Sequence, residues 1–275
     1  TYSLSALFEK SFYFGLDLAA SYTFGHSKSV YDGTSSVAYS NWKYNYAVDS
    51  NNPGLAYSMF DIPHRVMVSV GYRTPRYAKG FMATTVSLVY NGYVGQRYSL
   101  TMNESYYDAE KKKTVYIDYN GDGWGGNSLL YIPTEDELQK MDFKTEEDRR
   151  KFDEWIEGDS YAKKHRGAYA MRNSNSALWE NRVDLHVAQD IFVLKDRGSK
   201  FQVTFDVTNF ANMLNKKWGT TYTAAYNVMP LQVIGSKKGE DGNYTNTYAY
   251  NSRNTITKND VLSRWHAQIG IKYIF

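Results

Sequence analysis

Cysteine is absent from the 275 residues, which excludes a disulfide scaffold and any thiolate metal site. No stretch approaches the ~18 to 20 consecutive apolar residues of a transmembrane helix, and mean hydropathy is −0.58. Charge of one sign is also missing: the net value of +3 is small and dispersed, which argues against a nucleic-acid partner. No signal peptide opens the chain, which begins directly in a strand pattern, so an internal-to-C-terminal piece of a longer protein is expected. Metal-spaced histidine pairs such as H-E-x-x-H, a G-x-S-x-G elbow and a P-loop are lacking, and no enzyme is expected. What the chain has in excess is tyrosine, 26 residues against 20 Gly and 5 Pro. That bias suits aromatic girdles together with wet, adhesive loops.

The last eleven residues are the most informative. With period two, Trp265, Ala267, Ile269, Ile271, Tyr273 and Phe275 point one way, and His266, Gln268, Gly270 and Lys272 the other. One face suits lipid and the other water, with an aromatic anchor at each end of the apolar face. The pattern recurs upstream. Phe14 to Phe24, Val66 to Tyr72, Met82 to Tyr90, Val183 to Val193 and Phe201 to Val207 each alternate, and a short start at Tyr2, Leu4, Ala6 and Phe8 brings the count to seven strands. Most match the ~9 to 11 residues of a tilted membrane-spanning strand.

The connections alternate in length. Glu9 to Ser11, Thr74 to Gly80 and Leu194 to Ser199 read as tight turns, whereas Gly25 to Phe60, Val94 to Trp179 and Ala211 to Leu262 are long, polar and aromatic. Sorting of this kind is expected of an outer-membrane barrel with short periplasmic turns and long extracellular loops. The expected fold is therefore all-β, a transmembrane antiparallel β-barrel of which this chain supplies seven strands. Seven strands do not close, because an open edge in hydrocarbon leaves a row of backbone groups unsatisfied. The remaining strands are expected in preceding sequence or in partner chains.

Several segments carry a resemblance. Asp61-Ile-Pro-His-Arg-Val66, Leu88-Val-Tyr-Asn-Gly-Tyr-Val-Gly-Gln-Arg-Tyr-Ser99, Asp118-Tyr-Asn-Gly-Asp-Gly123 with Leu130-Tyr-Ile-Pro133, Asp206-Val-Thr-Asn-Phe-Ala-Asn-Met-Leu-Asn215 with Trp218-Gly219, and Arg264 to Phe275 follow in order along nearly the whole chain. Together they resemble the C-terminal barrel portion of Oar-like TonB-dependent outer-membrane receptors of Bacteroidota, relatives of the SusC-type transporters. The resemblance implies a complete barrel of 22 strands, an N-terminal plug absent here, coupling to the TonB system, outer-membrane lipid around the barrel and, in some relatives, a surface lipoprotein. It also implies that Ile269, Ile271, Tyr273 and Phe275 form the signal read by the barrel-insertion machinery. The function so implied is import of an oligosaccharide, peptide or chelate. The alternative is an adhesion or assembly protein that mounts its loops on a barrel.

The residues themselves offer a few candidate sites. Asp17, Arg182, Asp184, His186, Asp190, Asp206, Arg264 and His266 are expected to line a wet barrel interior. In the largest loop, Asp118, Asn120 and Asp122 followed by Gly123 make the front half of an EF-hand-like calcium loop, while position twelve is Leu129 and not Glu. Calcium and an Asx-rich turn both remain open. Thr134-Glu-Asp-Glu137 and Thr145-Glu-Glu-Asp148 read as helix starts, the second helix running to Gly158 with Phe152, Trp155 and Ile156 on one face. Tyr39 to Tyr46, Tyr106-Tyr107 and Tyr244 to Tyr250 either stack on sugars or peptides or pack the loops together.

Overall fold

The computed structural model describes all residues except 194–198, 225–226, 241 and 253–255. Seven long strands make one antiparallel sheet: β1 (Tyr2–Ser11), β2 (Leu16–His26), β3 (His64–Arg73), β4 (Met82–Tyr93), β5 (Glu180–Phe192), β6 (Lys200–Thr208) and β7 (His266–Ile274). Their order in space is their order in sequence, so the sheet is a meander and the class is all-β. β1 and β7 are its two edges and do not pair with each other.

Register turns the alternation of single strands into continuous rows. One row crosses six strands as Leu16, Tyr72, Val86, Val187, Phe205 and Ile269. The adjacent row, displaced by one residue, reads Ser11, Asp17, Gly71, Ser87, His186, Asp206 and Gln268 across all seven. A slip of one residue between any two strands would mix the rows, so the sharp separation of faces fixes the pairing. The apolar face is uncovered over most of its extent: Val70, Tyr72, Leu88, Ile191, Phe201, Ile269 and Ile271 are all exposed.

Some expected boundaries move. β1 continues through Ser11, paired with Asp17, and the chain reverses at Phe12 to Gly15 instead of Glu9 to Ser11. Gly15 makes this reversal possible: its φ is +94°, and a Cβ there would stand 2.2 Å from the carbonyl oxygen of Arg73. The expected turn from Leu194 to Ser199 lies outside the described residues except for Ser199, whose carbonyl accepts from the Val193 amide. Trp265 and Arg264 precede β7, with Arg264 in an exposed turn off the strand.

The three long connections span residues 27–63, 94–179 and 209–265 and leave the same end of the meander. The second and third fold into a body with its own hydrophobic core. Leu100, Leu130, Ile132, Leu138, Phe152, Ile156, Leu231 and Val233 are buried together. Short strands stitch it: Arg97–Leu100 pairs with both Asn175–Ser176 and Asn227–Val228, and Tyr244–Tyr250 pairs with Leu231–Lys238 and Asp142–Phe143. The helix Glu135–Lys140 starts in a complete capping box formed by Thr134 and Glu137. The helix Glu146–Gly158 is capped by Thr145 and buries Phe152 and Ile156, with Trp155 stacked 6.0 Å from Phe152.

Candidate functional site

The junction between the loop body and the sheet is a buried ion cluster. Asp61, two residues before the Pro63-His64 step into β3, is fully buried, and Oδ1 accepts from the Ser27 amide at 2.6 Å. Its Oδ2 accepts from Arg97 Nη2 at 2.7 Å and Nε at 3.0 Å, and His26 Nδ1 lies 3.1 Å away. Arg97, also buried, donates to the Ser174 carbonyl and lies 4.2 Å over the Tyr57 ring. Burial alone would raise the Asp61 pKa, but the Ser27 amide, Arg97 and His26 outweigh it and hold the carboxyl below its ordinary range. Asp61 thereby ties β2, the entry to β3 and the start of the second connection to one anion.

The polar face of the sheet carries most of the charged residues expected there. Asp17, His186 and Asp206 share one row; Asp184 and Asp190 lie on the same face of β5, and His266 pairs with Thr208. His186 Nδ1 is 2.5 Å from Asp206 Oδ1, and Arg182 Nε donates to Asp184 Oδ1 at 3.3 Å. Asp190 is 1% exposed and is paired with two cations, Arg73 Nη2 and Lys200 Nζ, each at 2.7 Å, while Gln202 Nε2 donates to it at 2.9 Å. Ser87 stands across the ladder from His186, giving the residue types of a nucleophilic triad in register. Ser87 makes no hydrogen bond to the imidazole among the described residues, so the nucleophile–base contact that such chemistry needs is missing.

The acidic turn is closed by its own backbone. Asp118 accepts from the amides of Asp122 at 3.2 Å and Gly123 at 2.8 Å, and Asp122 accepts from the Trp124 amide at 2.7 Å. Asp122 Oδ2 also accepts from Ser50 Oγ at 2.5 Å and Asn127 Nδ2 at 2.7 Å, tying the first connection to the second. Burial raises the Asp122 pKa, and these hydrogen bonds more than reverse it. Among the described residues Asn120 Oδ1 is buried with no hydrogen-bond partner. Among the described residues no group of three or more His, Asp or Glu side chains is gathered for a metal ion.

A cavity of about 360 Å³ lies between the first and second connections. Tyr44 and Tyr46 of the tyrosine-rich stretch line it, beside Asp32, Asn45 and the buried Arg172. Arg172 donates to Asn45 Oδ1 and to the Ser29 carbonyl, and its Nη1 lies 3.8 Å from Asp32. Neither Arg97 nor Arg172 stands out as a buried cation in the sequence. Their partners are 36 to 143 residues away, and a local pattern carries no trace of them. Comparison with protein-family models, with curated proteins and with solved structures gave no match.

Proposed function

We propose that the chain is the C-terminal part of the barrel of a TonB-dependent outer-membrane receptor that imports a nutrient, an oligosaccharide, peptide or chelate, across the outer membrane. The observation that carries this reading is the opposite polarity of the two halves: the sheet leaves its apolar rows uncovered, while the loop body encloses its own. An uncovered apolar face beside a polar one suits a wall between lipid and a wet interior. The free edges at β1 and β7 support the same reading, since further strands would satisfy them and close the wall. On this reading a membrane-inserted barrel holds the loop body at the outer surface, the polar face looks onto a plug, and no catalysis is involved. The lipid-side residues Trp265, Ile269, Ile271, Tyr273 and Phe275 serve anchoring and barrel insertion.

The test is uptake in cells expressing the full-length protein. Dissipating the proton gradient or deleting TonB should abolish solute accumulation while surface binding persists. Deleting Phe275 should lower the folded protein in the outer membrane more than it lowers synthesis. Retained cell or matrix adhesion in the TonB-deleted strain, with no solute uptake ever lost, would replace the transporter by a barrel-mounted adhesin.

A further inference from the structure

A second cavity of about 360 Å³ opens within the loop body, between the second and third connections. Four tyrosines line it: Tyr119, Tyr131, Tyr169 and Tyr248. Its other lining side chains are Met, Leu and Pro, together with a single ionisable carboxyl, Glu137. The Tyr131 and Tyr169 rings meet edge to face with centroids 5.1 Å apart, and Tyr169 is half exposed at the opening. Tyr248 reaches the cavity from the strand Tyr244–Tyr250, so the site exists only when the two connections are folded together.

The charge of this cavity is fixed by hydrogen bonds. Glu137 accepts from the Thr134 amide at 2.9 Å and from the Tyr131 hydroxyl at 3.0 Å. These bonds, the Thr134 amide first, keep the carboxyl below its ordinary range. The same contact with Glu137 raises the Tyr131 phenol, and burial raises that of Tyr119, so both stay protonated at neutral pH. No basic side chain pairs with Glu137 among the described residues. What remains is a tyrosine-lined pocket with one exposed carboxylate at its wall, which the Lys140 ammonium on the same helix also holds in its charged form without forming an ion pair among the described residues. Ring faces and a carboxylate both attract a cation, and an ammonium carrying alkyl groups also gains from the apolar lining.

We propose that this tyrosine cavity binds an organic ammonium group, with Glu137 as its counter-charge and the tyrosine rings as its walls. The inference deepens the receptor reading, on which its biological role rests, but binding itself requires only the folded loop body. A small ammonium ion and the side chain of a peptide lysine offer the same chemistry, and the experiment separates them.

Purified full-length protein in detergent is titrated calorimetrically with choline and with 3,3-dimethylbutan-1-ol, its uncharged carbon counterpart. A parallel pair is Nα-acetyl-lysine amide and its Nε-acetylated form. Choline, the lysine amide or both should bind, each about tenfold or more tighter than its neutral counterpart. Binding of choline alone identifies a small ammonium ion as the ligand, and binding of the lysine amide alone identifies a peptide side chain. Glu137→Gln, which keeps an acceptor for the Thr134 amide, should weaken binding about tenfold. Tyr169→Leu should weaken it as well, whereas Tyr169→Phe, which keeps the ring, should not. Equal binding of charged and neutral probes, no binding of either, or an unaltered affinity in Glu137→Gln overturns the proposal. Because no energised membrane is involved, such a failure is distinct from failure of the transport reading.

Discussion

Ile271 on β7 and Phe152 in the helix Glu146–Gly158 are both large apolar side chains on well-formed elements, yet one is 74% exposed and the other fully buried. The contrast holds region by region. In the loop body the apolar residues turn inward onto one another and most charges, such as Glu147, Arg150 and Glu154, face out, while the buried Arg97 and Arg172 are held by hydrogen bonds. In the sheet, Leu16 to Ile269 form an uncovered apolar row, and the buried carboxylate Asp190 sits on the opposite face with three donors. One rule, that apolar surface avoids water, produces both arrangements if the surroundings of the two regions differ.

The strongest break is in the loop body. Phe152→Ala removes a fully buried ring and should cost about 3 to 5 kcal/mol of that unit's stability. Limited proteolysis of the full-length protein should then cut within residues 94–179 while the sheet stays intact. Simultaneous loss of both would show that the two regions are one cooperative unit.

A smaller effect is expected from reversing polarity on the sheet. With lipid against the apolar row, Ile269→Lys should destabilise the refolded full-length protein by about 2 to 4 kcal/mol, and Gln268→Lys, one residue away on the polar face, should be tolerated. Equal effects in a denaturant titration would remove lipid from the account, because the two positions differ in little except the side they face.

How far these arrangements could be read beforehand depends on the range of the forces involved. All seven strands are visible as period-two alternation, because the signal is repeated within each ten-residue segment. Thr134 and Thr145 mark their helices correctly, since a cap is written within four residues. The reversal at Gly15 is misplaced by a few residues: Phe14, Leu16 and Leu18 continue an alternating pattern across a turn that only the left-handed glycine reveals. Of the loop core only Phe152 and Ile156, on the apolar face of the helix that Thr145 starts, are legible. The rest of it depends on the strands Leu231–Lys238 and Tyr244–Tyr250 and on pieces of two to four residues paired over long separations, such as Leu100 with Val228 and Phe143 with Tyr248. Two residues carry no periodicity, and so a folded unit reads as loop. Period two puts Asp17, Arg182, Asp184, His186, Asp190, Asp206 and His266 on one face of the sheet, whereas Lys200, which pairs with Asp190, and the Asp61–Arg97 cluster joining the two regions are hidden by distance in sequence.

That cluster gives a pH-dependent test of the joint between the regions. The folded Asp61 carboxyl titrates below its unfolded value of about 3.9, so its contribution is fully present above that pH and is lost as pH falls through the lowered value. Hydrogen exchange of the Ser27 amide, which donates to Asp61, should therefore quicken below about pH 4 before the helix Glu146–Gly158 opens. Asp61→Asn should abolish that pH step while leaving Arg97 short of its counter-charge. A step unchanged in Asp61→Asn would assign it to another carboxyl.

The smallest expected effect lies in the acidic turn, at the margin of the loop body where the first connection meets the second. Asp122 holds Ser50 Oγ, Asn127 Nδ2 and the Trp124 amide, a set of bonds to one partly exposed carboxylate. Asp122→Ala should loosen the turn by about 1 kcal/mol and raise protease cleavage at Lys111, Lys112 and Lys113, with the rest of the loop body protected. Calcium, the other reading of Asp118, Asn120 and Asp122, is separated by the same assay run with calcium and with chelator. A hydrogen-bonded turn has all the donors it needs, so cleavage at the three lysines should be equal in the two conditions and calorimetry should show no calcium-dependent heat. Protection that appears only with calcium, and that Asp118→Ala and Asp122→Ala each remove, would instead assign the unpartnered Asn120 Oδ1 and the two carboxylates to a cation.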